Sequence, residues 1–276
     1  MPTETRRTEA GGRGFAVGLA GEGDPLVLLH GFPLDRTMWA ETAEFLSGRR
    51  LIVPDLRGFG GSDPLTDGEA FSIDDLADDV AAIADAVGVT GRFDLAGLSM
   101  GGYVALSIAT RHADRVGRII LTNTRADTDT PEAAANRRRI AETVLAKGTA
   151  PLAAAMTPNV LSEITTRKAP QLVGRVKDMI HACRPATVAA AQHAMAARPD
   201  RTGDLPGIDS PVLCVAGSED TITPPSVLEA IAAAAPHGEA VTIAGAGHLT
   251  PLERPRQFAD AVLAFLDRTD SAKAAS

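Results

Sequence analysis

The sequence predicts an α/β protein with a mostly parallel central sheet, helices on both faces of the sheet and a helical cap inserted between two strands. Short apolar runs at residues 26–29 and 51–53, and a further segment at 116–121 that is predicted to be a buried strand, alternate with amphipathic helical segments. Strands that are apolar along their whole length are typical of parallel sheets covered by helices. The cap is predicted because this alternation stops between residues 131 and 197, where only helical patterns occur.

The first elements precede the central strand. Phe15 to Leu19 is predicted to form an early antiparallel edge strand, and the apolar runs at 26–29 and 51–53 are predicted to form buried strands. Thr37 is expected to cap a helix that extends to about residue 46. Ser72 is expected to cap a helix over residues 73–87, whose apolar side chains recur at helical spacing and therefore face the core.

The rest of the chain is organised around a Gly-x-Ser-x-Gly motif at residues 97–101. The motif follows an apolar strand that begins at Phe93 and opens a helical run over residues 103–111. A serine on so tight a strand-to-helix turn projects its hydroxyl out of the sheet. Small flanking residues are required, because a Cβ at Gly97 or Gly101 would clash with the neighbouring backbone. The motif therefore predicts a presented nucleophile, Ser99.

The second half contains the helical stretch and then a return to strands. A strand is expected after the stretch at 211–216, a helix from Pro224 or Pro225 to about residue 234, a strand at 240–243 and a final helix from Pro255 to about residue 266. Within the stretch, helices are predicted near residues 132–147, 152–155, 169–181 and 185–198.

Composition bounds the size of the protein and the partners that it can have. A chain of 276 residues that is 45% hydrophobic suits one large α/β domain, and a net charge of −8 without a basic stripe argues against a nucleic-acid partner. No apolar span has the length of a membrane helix or signal sequence, so we expect a cytoplasmic protein with no membrane partner. The two cysteines and six histidines show no metal-ligand spacing, so no required metal is predicted. A homodimer is left open.

A glycine-rich loop at residues 56–63 raises the alternative of a phosphate-binding site. The loop contains neither Gly-x-Gly-x-x-Gly nor Gly-Lys-Ser/Thr, and no helix opens at its end. It is therefore predicted to be a tight structural loop.

Functional groups in an open parallel sheet gather beyond the carboxyl ends of its strands. A serine hydroxyl needs a neighbouring base, and His248, on a loop, is predicted to be that base for Ser99. The base in turn needs an acceptor that fixes its tautomer. Asp220 is the preferred acceptor, with Glu219 beside it and Asp127, after the strand at 116–121, as alternatives.

Stabilising the oxyanion requires two donors that are in place before the reaction. Met100 N–H, at the start of the helix after Ser99, is predicted to supply one, and Phe32 N–H the other. His30, two residues before Phe32, is expected to support this loop rather than act as a base. Apolar side chains predicted to line the substrate pocket are Phe32, Trp39, Met156, Ile222 and Leu249.

These residues resemble the α/β-hydrolase superfamily. Its recurring blocks resemble residues 30–33, 55–62, 97–102, 217–220 and 245–248 of this chain. The resemblance implies that Ser99, Asp220 and His248 form a catalytic triad and that Phe32 and Met100 form the oxyanion hole. It also implies a hydrolase core of residues 1–123 and 205–276 and a helical cap of residues 124–204.

Within the superfamily the chain looks most like small cofactor-free carboxylesterases and 3-oxoadipate enol-lactonase-like hydrolases. This implies hydrolysis of a small carboxylic ester or lactone through an acyl-enzyme intermediate. The Ser-Met-Gly-Gly turn is also similar to that of perhydrolases and carbon-carbon bond hydrolases, and a non-hydrolytic binding or cyclisation protein is a further alternative. Epoxide hydrolases and haloalkane dehalogenases are disfavoured, because they use an aspartate whose alkyl ester can be hydrolysed, whereas Ser99 would form an ether.

Overall fold

The computed structural model describes the backbone of residues 4–274 and the side chains of residues 4–270; the ends of the predicted core ranges, residues 1–3 and 275–276, lie outside this part. The strands in this part are β1 Glu4–Ala10, β2 Arg13–Ala20, β3 Asp24–Leu29, β4 Arg49–Pro54, β5 Phe93–Leu98, β6 Val116–Thr122, β7 Val212–Gly217 and β8 Gly238–Ile243. These eight strands form one sheet in the order β1-β2-β4-β3-β5-β6-β7-β8. β2 pairs antiparallel with β1 and with β4, and all other pairs are parallel. The predicted fold class is confirmed.

Helices cover the sheet, and most begin close to the predicted positions. The helix after the serine motif is α3, and the last helix, α11, extends eight residues beyond its predicted end at 266, to residue 274. Among the described residues, no helix is both long and apolar enough to cross a membrane. The helices are α1 Ala40–Ala43, α2 Ile73–Ala86, α3 Met100–Arg111, α4 Pro131–Lys147, α5 Ala150–Val160, α6 Glu163–Lys168, α7 Pro170–Ala182, α8 Pro185–Ala196, α9 Pro225–Ala234, α10 Thr250–Glu253 and α11 Pro255–Ala274.

The first strand was not predicted, and this changes the position of the second. The first four residues of β1 are exposed and polar or charged, so the strand lacks the apolar pattern by which the other strands were found. Because β1 pairs with β2 over residues 4–10 and 13–19, it is β1 and not β2 that forms the edge of the sheet. The edge position predicted for residues 15–19 is therefore wrong, whereas their antiparallel pairing is confirmed.

The helix predicted to start at Thr37 is shorter and begins differently. A 3-10 helix, Arg36–Trp39, precedes α1, and its cap is Asp35, whose carboxylate accepts the Thr37 N–H at 2.8 Å. Aspartate outranks threonine as a cap and lies one position before the 3-10 helix, so Thr37 is displaced from that role. Ser72, by contrast, caps α2 as predicted and forms a reciprocal capping box with Asp75.

Between β6 and β7 the chain forms five helices, α4 to α8, which we call the helical insertion. The two chain segments that connect the insertion to the sheet meet, because Arg201 N–H donates to the Ala126 carbonyl at 2.8 Å. The buried Arg198 guanidinium binds the Asp129 carboxylate at 2.7 Å and the Asp127 carbonyl at 2.9 Å. Burial would raise the pKa of Asp129, but its hydrogen bonds to Arg137 and Arg198 hold that pKa below its ordinary value. The insertion thus leaves and rejoins the core at one stem.

Candidate active site

The turn that carries Ser99 is strained in the way that its motif predicts. Ser99 has φ 52° and ψ −110°, a conformation that non-glycine residues rarely adopt. A Cβ on Gly97 would lie 2.2 Å from the Gly101 carbonyl oxygen, and a Cβ on Gly101 would lie 2.4 Å from the Leu29 carbonyl oxygen. Both distances are far below van der Waals contact, so the predicted need for glycine at these two positions is confirmed.

Hydrogen bonds to the neighbouring strand hold this turn in place. The Ser99 N–H donates to the Thr122 carbonyl at 2.9 Å, and the Thr124 hydroxyl donates to the Ser99 carbonyl at 2.8 Å. Ser99 itself is half-buried. Its backbone is therefore fixed against the carboxyl end of β6, directly beside the residue that follows that strand.

Asp220 and His248 form a buried pair at the carboxyl ends of β7 and β8. The Nδ1 of His248 lies 2.9 Å from Oδ2 of Asp220, and the two side chains are 4% and 0% exposed. A carboxylate only accepts, so Nδ1 carries the proton and Nε2 is left with a free lone pair. The Thr223 hydroxyl lies 2.5 Å from the same carboxylate oxygen. This arrangement suits Nε2 of His248 to act as a base.

The two alternative acids lie elsewhere. Glu219 is exposed, although it directly precedes the buried Asp220. Asp127 is also exposed, and it forms an ion pair with Arg125 at 2.9 Å. Of the three carboxylates weighed from the sequence, Asp220 is the one that the structure pairs with His248.

The Asp220 carboxylate is kept ionised by its donors. Burial alone would raise its pKa, but the hydrogen bond and charge of His248, with the Thr223 hydroxyl and the Asn123 amide, outweigh burial and lower the pKa to about 2. Its other oxygen accepts the Ile222 N–H at 2.8 Å and the Thr223 N–H at 3.1 Å. The carboxylate therefore faces the imidazole as a fixed negative charge at neutral pH.

Asn123 is a site residue that sequence analysis missed. It has φ 44°, and its side-chain amide donates to Asp220 Oδ2 at 2.8 Å and to the Gly247 carbonyl at 3.3 Å. Because it follows the strand residue that binds Ser99 N–H, it connects the Ser99 turn to the acid and to the loop of His248. Its position directly after a buried strand was a usable signal, but a neutral amide there does not by itself indicate an acid or a base.

The two predicted oxyanion donors lie on adjacent strand ends. Met100 is the first residue of α3, and Phe32 follows β3, whose last carbonyl closely approaches Gly101. His30 supports the loop that carries Phe32, since its Nδ1 lies 3.0 Å from the Gly31 carbonyl and its Nε2 accepts the Leu56 N–H at 3.0 Å. Complete burial lowers the pKa of His30, so its imidazole is neutral. This is the supporting role predicted for it.

The glycine-rich loop packs around one buried carboxylate. Asp55 accepts the N–H groups of Arg36 and Gly61, each at 2.7 Å. Gly60 has φ 48°, and a Cβ there would lie 2.2 Å from the Asp55 carboxylate. The loop is held by its own residues, in agreement with the structural role predicted for it.

The residues predicted to line the pocket occupy different environments. Phe32 and Leu249 are buried beside the site, Met156 is partly buried on α5, and Ile222 is 44% exposed. Trp39 is 1% exposed, and its ring packs against Phe258 of α11 with centroids 5.8 Å apart. Trp39 is thus a core residue in this structure, and its predicted contact with substrate finds no support in its position.

Within residues 4–270, no group of three or more His, Cys, Asp or Glu side chains is placed so that it could hold a metal ion.

Comparison with known proteins reveals relatives along almost the whole chain. A family model described as alpha/beta hydrolase fold matches residues 24–255. The structure of a thermophilic esterase from Thermogutta terrifontis, in a malate-bound form, superposes with a TM-score of 0.92 and 40% identity, covering 96% of this chain and 98% of the esterase. An enol-lactonase from Burkholderia xenovorans LB400 superposes with a TM-score of 0.87 and 28% identity, covering 95% and 100% of the two chains.

A curated relative matches over a shorter stretch. A 2-hydroxymuconate semialdehyde hydrolase from Pseudomonas sp. (strain CF600) is 37% identical over 106 residues, which is 37% of this chain and 37% of that protein. The match therefore spans only about a third of the relative's length.

Proposed function

The chain belongs to the alpha/beta hydrolase fold family, and on that premise we propose that it is a serine hydrolase that cleaves a small carboxylic ester or lactone. The observation that carries the proposal is the buried Asp220–His248 pair, 2.9 Å apart, at the same edge of the sheet as the strained turn of Ser99. A nucleophile, a base and an acid that orients the base are the groups that acyl transfer requires.

Acylation begins when the Ser99 hydroxyl attacks the carbonyl carbon of the substrate and His248 Nε2 takes its proton. The tetrahedral oxyanion accepts hydrogen bonds from the N–H groups of Met100 and Phe32. Each such donor contributes about 3 to 4 kcal/mol to stabilising the transition state. The imidazolium then protonates the leaving alcohol, which in a lactone stays attached to the acyl group, and an acyl-Ser99 ester remains.

Deacylation repeats these steps with water as the nucleophile. His248 Nε2 removes a proton from the water, which attacks the acyl carbon, and the same two N–H groups bind the second oxyanion. Collapse releases the carboxylic acid and returns the proton to Ser99. Throughout both halves Asp220 stays ionised, in keeping with its pKa of about 2, and stabilises the imidazolium.

The helical insertion and its flanking residues, together residues 124–204, are proposed to act as a cap that encloses the acyl or alcohol part of the substrate. It contacts the core beside the site: Thr187 donates to the Gly58 carbonyl at 3.0 Å and Arg175 to the Thr37 carbonyl at 2.7 Å. Phe32 and Leu249 of the core and Met156 of α5 are proposed to line the pocket beneath the cap. A substrate with a small apolar acyl group suits these side chains.

Two measurements test the proposal. Purified protein should hydrolyse p-nitrophenyl acetate and be labelled by a fluorophosphonate probe, and Ser99→Ala should abolish both reactions. Hydrolysis that survives the substitution would contradict the assignment of Ser99. Absence of labelling in folded wild-type protein would favour a binding or cyclisation role.

A second candidate is carbon-carbon bond hydrolysis by the same residues. It is favoured by the identity to a 2-hydroxymuconate semialdehyde hydrolase over 106 residues. Turnover of a vinylogous 1,5-diketone faster than turnover of short esters would support this candidate over ester hydrolysis. The reverse preference, across a series of ester chain lengths, would support the first.

A further inference from the structure

Glu253, the last residue of α10, connects the loop of His248 to the helical insertion. Its Oε1 accepts the Gly247 N–H at 2.8 Å, and its Oε2 accepts the Ser162 N–H at 2.9 Å. Gly247 directly precedes His248, whereas Ser162 lies between α5 and α6 of the insertion. Glu253 is only 7% exposed, so this carboxylate is committed to the two segments that it joins.

Further contacts join the same two segments. The Leu249 N–H, on the other side of His248, donates to the Val160 carbonyl at 3.1 Å. A Cβ on Gly247 would lie 2.6 Å from the Ser162 nitrogen, so the two backbones are in direct contact. Both chain neighbours of His248 therefore contact the insertion.

The next residue, Arg254, connects the same two segments through a positively charged side chain. Its guanidinium donates to the Gly245 carbonyl at 2.6 Å and to the Thr165 hydroxyl of α6 at 3.4 Å. Glu253 thus accepts hydrogen bonds from the loop of His248 and from the insertion, and Arg254 donates hydrogen bonds to the same two segments.

A carboxylate is suited to this position in a way that an amide is not. Its two oxygens are fixed relative to each other, so two N–H groups bound to them are also fixed relative to each other, and hydrogen bonds to a charged acceptor are stronger than neutral ones. Glutamine offers a single acceptor oxygen, so one of the two buried N–H groups would face an NH₂ group instead. An unpaired buried donor is strongly unfavourable.

We propose that Glu253 is a positioning residue that sets the placement of the His248 imidazole by tying its loop to residues 160–162 of the insertion. The inference rests on the proposed function in taking His248 as the base. A displacement of about 1 Å of a reacting group lowers a rate by about 100-fold, so a loosened loop affects turnover strongly. Substrate binding is affected less, because Glu253 lies behind the loop rather than against the substrate.

The test compares Glu253→Gln with Glu229→Gln, a substitution of an exposed glutamate on α9. For p-nitrophenyl acetate, we expect kcat of Glu253→Gln to fall by about 10- to 100-fold with KM within about twofold. We expect Glu229→Gln to match the wild type. A purely structural role would lower the melting temperature and leave kcat of the folded protein unchanged, and that result would overturn the proposal. If Glu253→Gln does not fold, Glu253→Asp, which keeps the charge on a shorter side chain, is held to the same criterion.

The coupling to the insertion is tested by a double-mutant cycle. Ser162→Ala removes the hydroxyl that accepts the Thr165 N–H at 3.1 Å, and so loosens the start of α6 while keeping the Ser162 N–H. If Glu253 transmits this change, Ser162→Ala lowers kcat in the wild-type background and has little effect in Glu253→Gln. Fully additive effects on kcat would refute the coupling.

Amide hydrogen exchange keeps this inference separate from the proposed function. Exchange of residues 160–162 and 247–249 should accelerate together in Glu253→Gln and stay at wild-type rates in Glu229→Gln. This measurement needs no turnover, so it decides whether the tie exists even if the wild-type protein hydrolyses no ester. Unchanged exchange at either segment would overturn the tie.

Discussion

Replacing Asp220 by asparagine tests the acid and base assignment directly. One oxygen of the carboxylate faces three donors, from Thr223, Asn123 and His248, and the other faces two backbone N–H groups. The new NH₂ group must therefore oppose donors in either orientation. Imidazole can relieve the conflict by moving its proton from Nδ1 to Nε2, which removes the base that Ser99 needs.

The size of the effect follows from that tautomer. Loss of the correct tautomer lowers turnover by about 10⁴-fold in enzymes of this mechanism, which corresponds to about 5 kcal/mol of transition-state stabilisation. The assay is kcat/KM for p-nitrophenyl acetate, with folding checked by circular dichroism. Glu219→Gln is the matched control, because Glu219 is the exposed neighbour of Asp220 and an acid of similar type. Activity of Asp220→Asn within tenfold of the wild type, or a comparable loss in Glu219→Gln, would refute the reasoning.

Three further outcomes are expected. Asn123→Gly keeps a residue that tolerates φ 44° but removes the amide that binds Asp220. It should lower kcat/KM in the same assay by about 10- to 100-fold, since a hydrogen bond to a charged group is worth about 1.5 to 3 kcal/mol. No change in kcat/KM would remove Asn123 from the site. Gly101→Ala should prevent soluble expression or lower the melting temperature sharply, because its Cβ would lie 2.4 Å from a backbone oxygen. The control is Gly174→Ala in α7, whose Cβ would have no atom within 4 Å and which should stabilise the protein by about 0.5 to 1 kcal/mol. Equal melting temperatures for the two variants would contradict this expectation. The pKa of Asp220 is lowered to about 2, so the stabilisation by its carboxylate should be complete above the unfolded pKa of about 3.9 and disappear as the pH falls toward 2. Urea unfolding of wild type and Asp220→Asn at pH 5, 3.5 and 2.5 should therefore give a stability difference that becomes smaller as the pH falls. A difference that stays constant would contradict the lowered pKa.

The parts of the fold that sequence predicted are those in which burial leaves a pattern. β3, β4 and β6 are buried along most of their length, and each contains at least three consecutive apolar residues. β1 carries no such signal, since its outward residues face solvent on the edge of the sheet. α6 was also missed, because six residues give too few turns for a helical period to be recognised.

The site divides in the same manner. Ser99 and His248 lie in glycine-flanked motifs whose backbone geometry restricts the residue types, and the pairing of His248 with Asp220 was expected from their order in the chain. Asn123 belongs to no motif, because its role depends on which strand ends become neighbours. Trp39 presents a related difficulty: an aromatic side chain looks the same in sequence whether it faces a pocket or the core, and the structure buries this one against Phe258.

The joined ends of the helical insertion make it separable from the sheet. The Arg201 N–H donates to the Ala126 carbonyl at 2.8 Å, so the two points at which a transplanted segment would be attached already lie side by side. Joining the segment there would cost little loop-closure entropy. Chimaeras that exchange this segment between homologues should keep the strand order and acquire the donor's substrate range. The transplanted segment would have to keep the backbone conformation of residues 160–162, because Glu253 of the core accepts the Ser162 N–H there.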